Sequence, residues 1–193
     1  MPRKFRVIVD PGAVLAFAAV ICLFETDMLI CLALSVLCHE AGHFFALGLF
    51  HVRVESLSVS ATGLSANFAR AELSYWAEAL CVLAGPVFGT ILAFAAASAG
   101  IYLLAGISLL LTLFNLIPAY PLDGGRLAEL ILSYIFGADA GDRAARYVGA
   151  VTSFLVFAAG IYMCYFMRAG LTLVFIGAWL IAEYCKIFDC SVK

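Results

Sequence analysis

Residues 28–50 read MLICLALSVLCHEAGHFFALGLF, an apolar run with two histidines and a glutamate near its centre. A helix rises about 1.5 Å per residue, so a run of this length is long enough to cross the hydrocarbon core of a bilayer. A charged side chain at the centre of such a span costs roughly 2.5–3.5 kcal/mol. A polar cluster at that depth therefore indicates a functional site more strongly than a device for helix packing.

These polar residues form an H-E-x-x-H motif, His39-Glu40-Ala41-Gly42-His43, which composition alone would produce in about one chain in a thousand. On a helix the two histidines lie one turn apart on the same face, which suits two imidazoles on one zinc ion. Glu40 is rotated about 60° from His43, so its carboxylate can reach a metal-bound water but is poorly placed as a third ligand. The motif predicts a zinc centre inside the membrane.

A catalytic zinc site has three protein ligands and one open position. His51, the third histidine, lies about 12 Å beyond His43 along a continuous helix, and we interpret it as an interfacial residue. Asp123 is the better candidate, because it is the one carboxylate in residues 115–126, NLIPAYPLDGGR. Prolines end a helix there, and Gly124–Gly125 permit backbone conformations closed to other residues. Such irregular backbone is tolerated at membrane depth only inside protein or along a cavity.

Two residues of this segment have alternative interpretations. Asp123 is either the N-cap of a helix that starts at Arg126 or the third metal ligand, and the presence of the H-E-x-x-H motif favours the ligand. Asn115 is either a hydrogen-bonding group in helix packing or a donor to a polarised substrate carbonyl.

The composition is that of a membrane protein. Hydrophobic residues make up 65% of the chain and charged residues 12%, whereas soluble domains carry roughly 25% charged residues. The net charge of −2 provides no basic surface, which excludes a nucleic-acid binder. We predict an all-α polytopic protein of about six transmembrane helices. Their apolar runs are 12–24, 28–50, 75–99, 100–117, 147–167 and 170–185.

The basic residues predict the orientation of these spans. If the N-terminus is cytoplasmic, Arg168 is the only one of the 11 Lys and Arg residues that falls outside. We therefore expect both termini, the 51–74 loop and the 119–146 region to lie in the cytoplasm. The expected location is the plasma membrane of a bacterium.

Residues 52–61, VRVESLSVSA, alternate between apolar and polar, which is typical of a strand. Because a strand cannot lie unpaired in lipid, we expect a small β-hairpin at the membrane surface after the second span. The hairpin is either an ordinary connection or a substrate-binding element. In the second case an exposed strand edge would pair with an extended substrate, through Val54, Leu57 and Val59.

Three motifs together resemble the site-2 protease family of intramembrane zinc metalloproteases. They are HEAGH at 39–43, AGP at 84–86 and NLIPAYPLDGGR at 115–126. The resemblance covers nearly the whole chain, and the six-span arrangement is most similar to the branch that processes a sporulation pro-sigma factor.

The resemblance implies roles for particular residues. His39, His43 and Asp123 would ligate one zinc ion per chain. Glu40 would be the general base, and the hairpin would lie near the active site. One position departs from the family: where an asparagine often follows the glycine-proline of the third span, this chain has Gly89. That departure removes the basis for a substrate contact through an amide at this position.

The expected function is hydrolysis of a peptide bond within or next to a transmembrane segment of a membrane-protein substrate. We expect residues 1–193 to form a single membrane-embedded metalloprotease domain without a separate soluble regulatory domain. An alternative is a membrane zinc or proton transporter that uses the same ligands as a transit site. A transporter needs polar residues along a path to both faces, and the outer halves of these spans hold almost none. A third class is a catalytically silent scaffold that binds partner helices.

Overall fold

A computed structural model describes residues 6–9, 25–52, 54–60, 63–68, 74–166 and 171–191. The helices are α1 (Thr26–Leu49), α2 (Tyr75–Ser98), α3 (Tyr102–Asn115), α4 (Asp123–Phe136), α5 (Ala138–Phe166) and α6 (Thr172–Ser191). The strands are β1 (Arg6–Val9), β2 (Val54–Ser60) and β3 (Gly63–Phe68). The first predicted span, 12–24, lies outside the described residues.

The long helices coincide with the apolar runs of the sequence. Within the described residues, α1, α2 and α5 are long and apolar enough to cross a membrane, and α3 is a shorter apolar helix. Large apolar side chains on these helices are exposed, among them Leu37 at 65% and Phe94 at 73%. An apolar surface of this extent is unsuited to water and suits lipid. The protein is therefore a membrane protein, while the count of six spans stays a prediction.

Helix α5 extends beyond the apolar run 147–167 at its start. The polar residues 139–146 that precede the run are already helical, since α5 begins at Ala138. Gly137, at φ 86°, separates it from α4. The polar residues form the first turns of the helix, where Arg146 and Asp142 pair at 2.7 Å with i,i+4 spacing. Polar side chains and helical backbone are compatible where the helix emerges from lipid.

The strands form one sheet in the order β1-β2-β3. The pair β2 and β3 is antiparallel, and β1, which the sequence pattern did not predict, pairs parallel with β2. The expectation that residues 52–61 carry an exposed strand edge is therefore wrong. Positions 56–59 of β2 have a partner strand on both sides, as at Leu57, which pairs with Val7 and Ala66. Among the described strands, the unpaired edges belong to β1 and β3.

The chain forms two compact units, Met1–Leu113 and Phe114–Lys193. In the first unit, α1 packs closely against α2. A Cβ added to Gly42 would lie 2.4 Å from the carbonyl oxygen of Ala84, so glycine is required for this approach. At the same contact Cys38 Sγ lies 3.7 Å from the carbonyl oxygen of Phe88. Helices in lipid commonly associate through such small residues.

In the second unit, α5 packs against both α4 and α6. The segment that precedes α4 packs on the first turn of that helix. A Cβ on Gly124 would lie 2.2 Å from the carbonyl oxygen of Leu116, and one on Gly125 would lie 2.6 Å from the carbonyl carbon of Ala119. Both glycines are helical, so the expectation that they supply unusual backbone conformations is wrong. They are needed for space, which lets the backbone of 116–119 approach the helix.

The α1–α2 contact predicts different outcomes for two glycines of α1. Gly42→Ala places a methyl group against the Ala84 carbonyl and should destabilise the protein by about 1–3 kcal/mol. Gly48→Ala is the matched control, since a Cβ there meets nothing within 4 Å and alanine is the better helix former. Unfolding in detergent measures both variants. Equal stability of the two would contradict the close approach.

Candidate metal centre

Helix α1 brings the two histidines of the H-E-x-x-H motif together. Their Nε2 atoms lie 3.2 Å apart, and their rings meet edge to face with centroids 4.9 Å apart. Two nitrogens bound to one tetrahedral zinc at 2.0–2.1 Å would be separated by about 3.3 Å. The observed separation therefore fits two imidazoles that share one zinc ion.

The ring of His43 is oriented by a backbone carbonyl of α2. Its Nδ1 lies 2.9 Å from the carbonyl oxygen of Cys81. A carbonyl oxygen only accepts hydrogen bonds, so Nδ1 carries the proton and donates it. The lone pair then lies on Nε2, the atom that points toward His39. Metal-binding histidines are commonly held in this way by an acceptor behind the ring.

A glycine of α2 leaves open the space in front of the two imidazoles. A Cβ added to Gly85 would lie 2.2 Å from Nε2 of His43 and 2.9 Å from Nε2 of His39. Any side chain at this position would occupy the place where the two lone pairs converge. Gly85 is the middle residue of the AGP motif at 84–86, and the geometry supplies a reason for the motif.

Asp123 is the first residue of α4, and the N-cap position belongs to Leu122. The alternative that Asp123 caps a helix starting at Arg126 is therefore wrong, because the helix starts one turn earlier. Asp123 remains the predicted third ligand beside His39 and His43. Two imidazole nitrogens and a carboxylate oxygen form a donor set typical of zinc.

The other predicted site residues occupy varied positions. Glu40 is half-buried in α1, directly after His39. His51 is exposed in the turn after α1 with φ 54°, outside the cluster, and Asn115 is the half-buried last residue of α3. The three strand residues of the prediction, Val54, Leu57 and Val59, all lie in β2.

Sequence reasoning missed the contribution of α2 and α3 around the histidines. Gly85 could have been found, since AGP stands out as a motif in an apolar run. Thr112 of α3 is also buried near His39, because a Cβ on Gly89 would lie 2.4 Å from Thr112 Oγ1 and 3.8 Å from His39 Nδ1. A single threonine in an apolar helix carries no signal that points to a site.

Comparisons with known proteins agree with the geometry. The family model described as Peptidase family M50 matches residues 94–159. A zinc metalloprotease of Methanocaldococcus jannaschii is 31% identical over 127 residues, which are 60% of this chain and 37% of that protein. Rip3 of Mycobacterium tuberculosis, whose name assigns it provisionally to the zinc metalloproteases, is 32% identical over 89% of this chain and 49% of its own length.

The fold also has a counterpart among solved structures. The site-2 protease from Methanocaldococcus jannaschii superposes with a TM-score of 0.71 and 21% identity, over 94% of this chain and 90% of that one. This similarity establishes a shared fold. The chain spans about half or less of the length of the curated relatives that it matches.

The open space at Gly85 predicts that an added methyl group blocks metal binding. Gly85→Ala should reduce bound zinc from one ion per chain to near none, because the new Cβ lies on the metal side of both imidazoles. Gly106→Ala in α3 is the control, since a Cβ there meets nothing within 4 Å. Metal content of the purified proteins measures the effect. Full zinc occupancy in Gly85→Ala would show that the ion lies elsewhere.

Proposed function

We propose that this chain belongs to Peptidase family M50 and is an intramembrane zinc metalloprotease. The reaction is hydrolysis of a peptide bond within or next to a membrane-spanning segment of a protein substrate. The observation that carries the proposal is the pair of imidazoles, His39 and His43, whose Nε2 atoms lie 3.2 Å apart in the middle of an apolar helix long enough to span a membrane. The second and third classes of function, a transporter and a scaffold, have no observation that favours them.

Residues of α1 and α4 would have different roles in this reaction. His39, His43 and Asp123 would hold one zinc ion. When bound, the metal supplies a Lewis acid that polarises a carbonyl and lowers the pKa of water to roughly 7. Glu40 directly follows His39 on α1 and is half-buried. Its carboxylate would accept a proton during attack on the peptide bond and deliver it to the leaving amine.

The environment favours hydrolysis at this depth. The ring of His39 is buried at 4% exposure, and the apolar surfaces of α1 and α2 exclude bulk water. Electrostatic interactions are stronger in such a medium than in water. A peptide bond in a stable helix is shielded, however, and breaking its hydrogen bonds in lipid costs several kcal/mol per unsatisfied group. We therefore expect substrates that carry helix-weakening residues near the cleavage site.

The proposed orientation follows from the distribution of basic residues. Both termini, the strands β2 and β3 and the segment around Asp123 would lie on the cytoplasmic side of a bacterial plasma membrane. Water would then reach the site from the cytoplasm. A sporulation pro-sigma factor, a signalling anchor or a leftover signal peptide are all compatible substrates.

Replacement of the proposed base separates catalysis from metal binding. Glu40→Gln keeps the size of the side chain but cannot take a proton, so it should abolish cleavage of a co-expressed membrane substrate while one zinc ion remains bound. Glu25→Gln, at an exposed position just before α1, is the control and should cleave normally. Immunoblotting of the substrate and metal analysis of the enzyme measure the two effects. Wild-type cleavage by Glu40→Gln would contradict the protease proposal and favour a transporter.

We also propose that the substrate pairs in extended form with β3. The central strand β2 is covered along positions 56–59, so a substrate strand can add only at an outer edge of the sheet. The described part of β3 has six residues and that of β1 has four, and a longer edge offers more backbone hydrogen bonds. Val54, Leu57 and Val59 would then support the paired edge from the neighbouring strand.

Three positions lie side by side across the sheet and test which strand receives the substrate. Val7, Leu57 and Ala66 are consecutive Cα partners. In a Glu40→Gln background, Ala66→Cys should form a disulfide with a cysteine placed next to the cleavage site, in higher yield than Leu57→Cys or Val7→Cys. The Glu40→Gln chain without an added cysteine provides the background. Crosslinking confined to position 7 would move the substrate to the β1 edge instead.

A further inference from the structure

We propose that Thr112 is the positioning residue for His39. Its hydroxyl oxygen would accept a hydrogen bond from Nδ1–H of His39 through one bridging water, and so keep the lone pair on Nε2, the metal-binding atom. This inference rests on the proposed zinc site and adds to it a side chain from α3. It concerns metal affinity and does not depend on the identity of the substrate.

The requirement comes from the pair of imidazoles. The two Nε2 atoms are 3.2 Å apart, and both must present a lone pair to bind one ion. A neutral imidazole carries its single proton on the other nitrogen, so both rings need an acceptor near Nδ1. For His43 that acceptor is the carbonyl oxygen of Cys81 at 2.9 Å. His39 requires an equivalent acceptor on its own side.

The space at Gly89 brings the hydroxyl of Thr112 near the ring of His39. A single point, the position of a Cβ on Gly89, lies 2.4 Å from Thr112 Oγ1 and 3.8 Å from His39 Nδ1. Thr112 is 3% exposed and His39 is 4% exposed, so bulk water does not compete here. A side chain larger than glycine at position 89 would displace the hydroxyl.

The hydroxyl of Thr112 is restricted to the role of an acceptor toward His39. Its proton is donated to the carbonyl oxygen of Ser108 at 2.9 Å. A hydroxyl has one proton and two lone pairs, so what it offers to a further neighbour is an acceptor. An acceptor beside Nδ1 selects the tautomer with the proton on Nδ1, which is the tautomer that binds metal through Nε2.

A second hydrogen bond fixes the position of Thr112 along the axis of α2. Ser108, one turn earlier on α3, donates its hydroxyl to the carbonyl oxygen of Gly89 at 2.8 Å, and Ser108 itself is 1% exposed. Because Ser108 and Thr112 lie on the same face of α3, this bond holds the Thr112 hydroxyl at the level of Gly89. The placement is thus determined by two buried hydroxyls and a missing side chain.

The test is the zinc affinity of the full-length protein in detergent, measured by competition with a chelator of known affinity. Thr112→Val removes the hydroxyl and keeps the shape, and it should weaken zinc binding about 10–100-fold. Thr112→Ser restores the hydroxyl and should bind within about threefold of the wild type. Thr90→Val is the matched control, because Thr90 also donates to the carbonyl four residues earlier, that of Pro86.

Each result has a defined consequence. Wild-type affinity in Thr112→Val would overturn the inference, and so would equal losses in Thr112→Val and Thr112→Ser, since these would show that shape and not the hydroxyl matters. Gly89→Ala gives a second route, because its Cβ displaces the hydroxyl without removing it and should weaken zinc similarly. If the wild type binds no zinc, the proposed function itself fails, which separates that failure from a failure of the role of Thr112.

Discussion

The structure depends on one constraint: polar side chains in the middle of an apolar helix have to find their hydrogen-bond partners within the protein, since lipid provides none. The two imidazoles of α1 meet this constraint through α2. The carbonyl oxygen of Cys81 serves His43, and it is reachable because Gly42 allows α1 to lie against the backbone at Ala84. Small residues at this contact are therefore part of the metal site as much as the ligands are.

The same close approach explains how two backbones shape the space around the imidazoles. A carbonyl oxygen within a helix keeps a second lone pair. The carbonyl of Cys81 can therefore accept a hydrogen bond from His43 while α2 keeps its own helical hydrogen bonds. Because Gly85 has no side chain, the space next to the two Nε2 atoms stays open. A helix with larger residues at these positions would keep its hydrogen bonds but fill the site.

Much of this could be predicted from the sequence, for physical reasons that differ between elements. Helices α1 and α2 follow directly from their apolar runs, and the spacing of His39 and His43 determines their common face. The polar start of α5 lies outside its apolar run and could not be predicted from it, because helical backbone and polar side chains coexist at a membrane surface. Pairing of β1 with β2 was also inaccessible, since β1 has four residues and its partner lies far along the chain. The pairing of His39 with His43 was predictable, whereas the supporting positions at Gly85 and Thr112 depend on how three helices approach one another.

Gly89 shows that the groups near His39 depend on how the helices pack and not only on the residue at one motif position. The resemblance to site-2 proteases leads one to expect an asparagine here, whereas this chain has a glycine. In this chain the space that a side chain at 89 would fill contains the hydroxyl of Thr112 instead, 2.4 Å from the point where a Cβ would lie. A polar group on α3 can thus occupy the place of one on α2, because the helices are close enough for either to reach it. The oxygen near His39 is therefore supplied by α3 and not by a side chain at position 89.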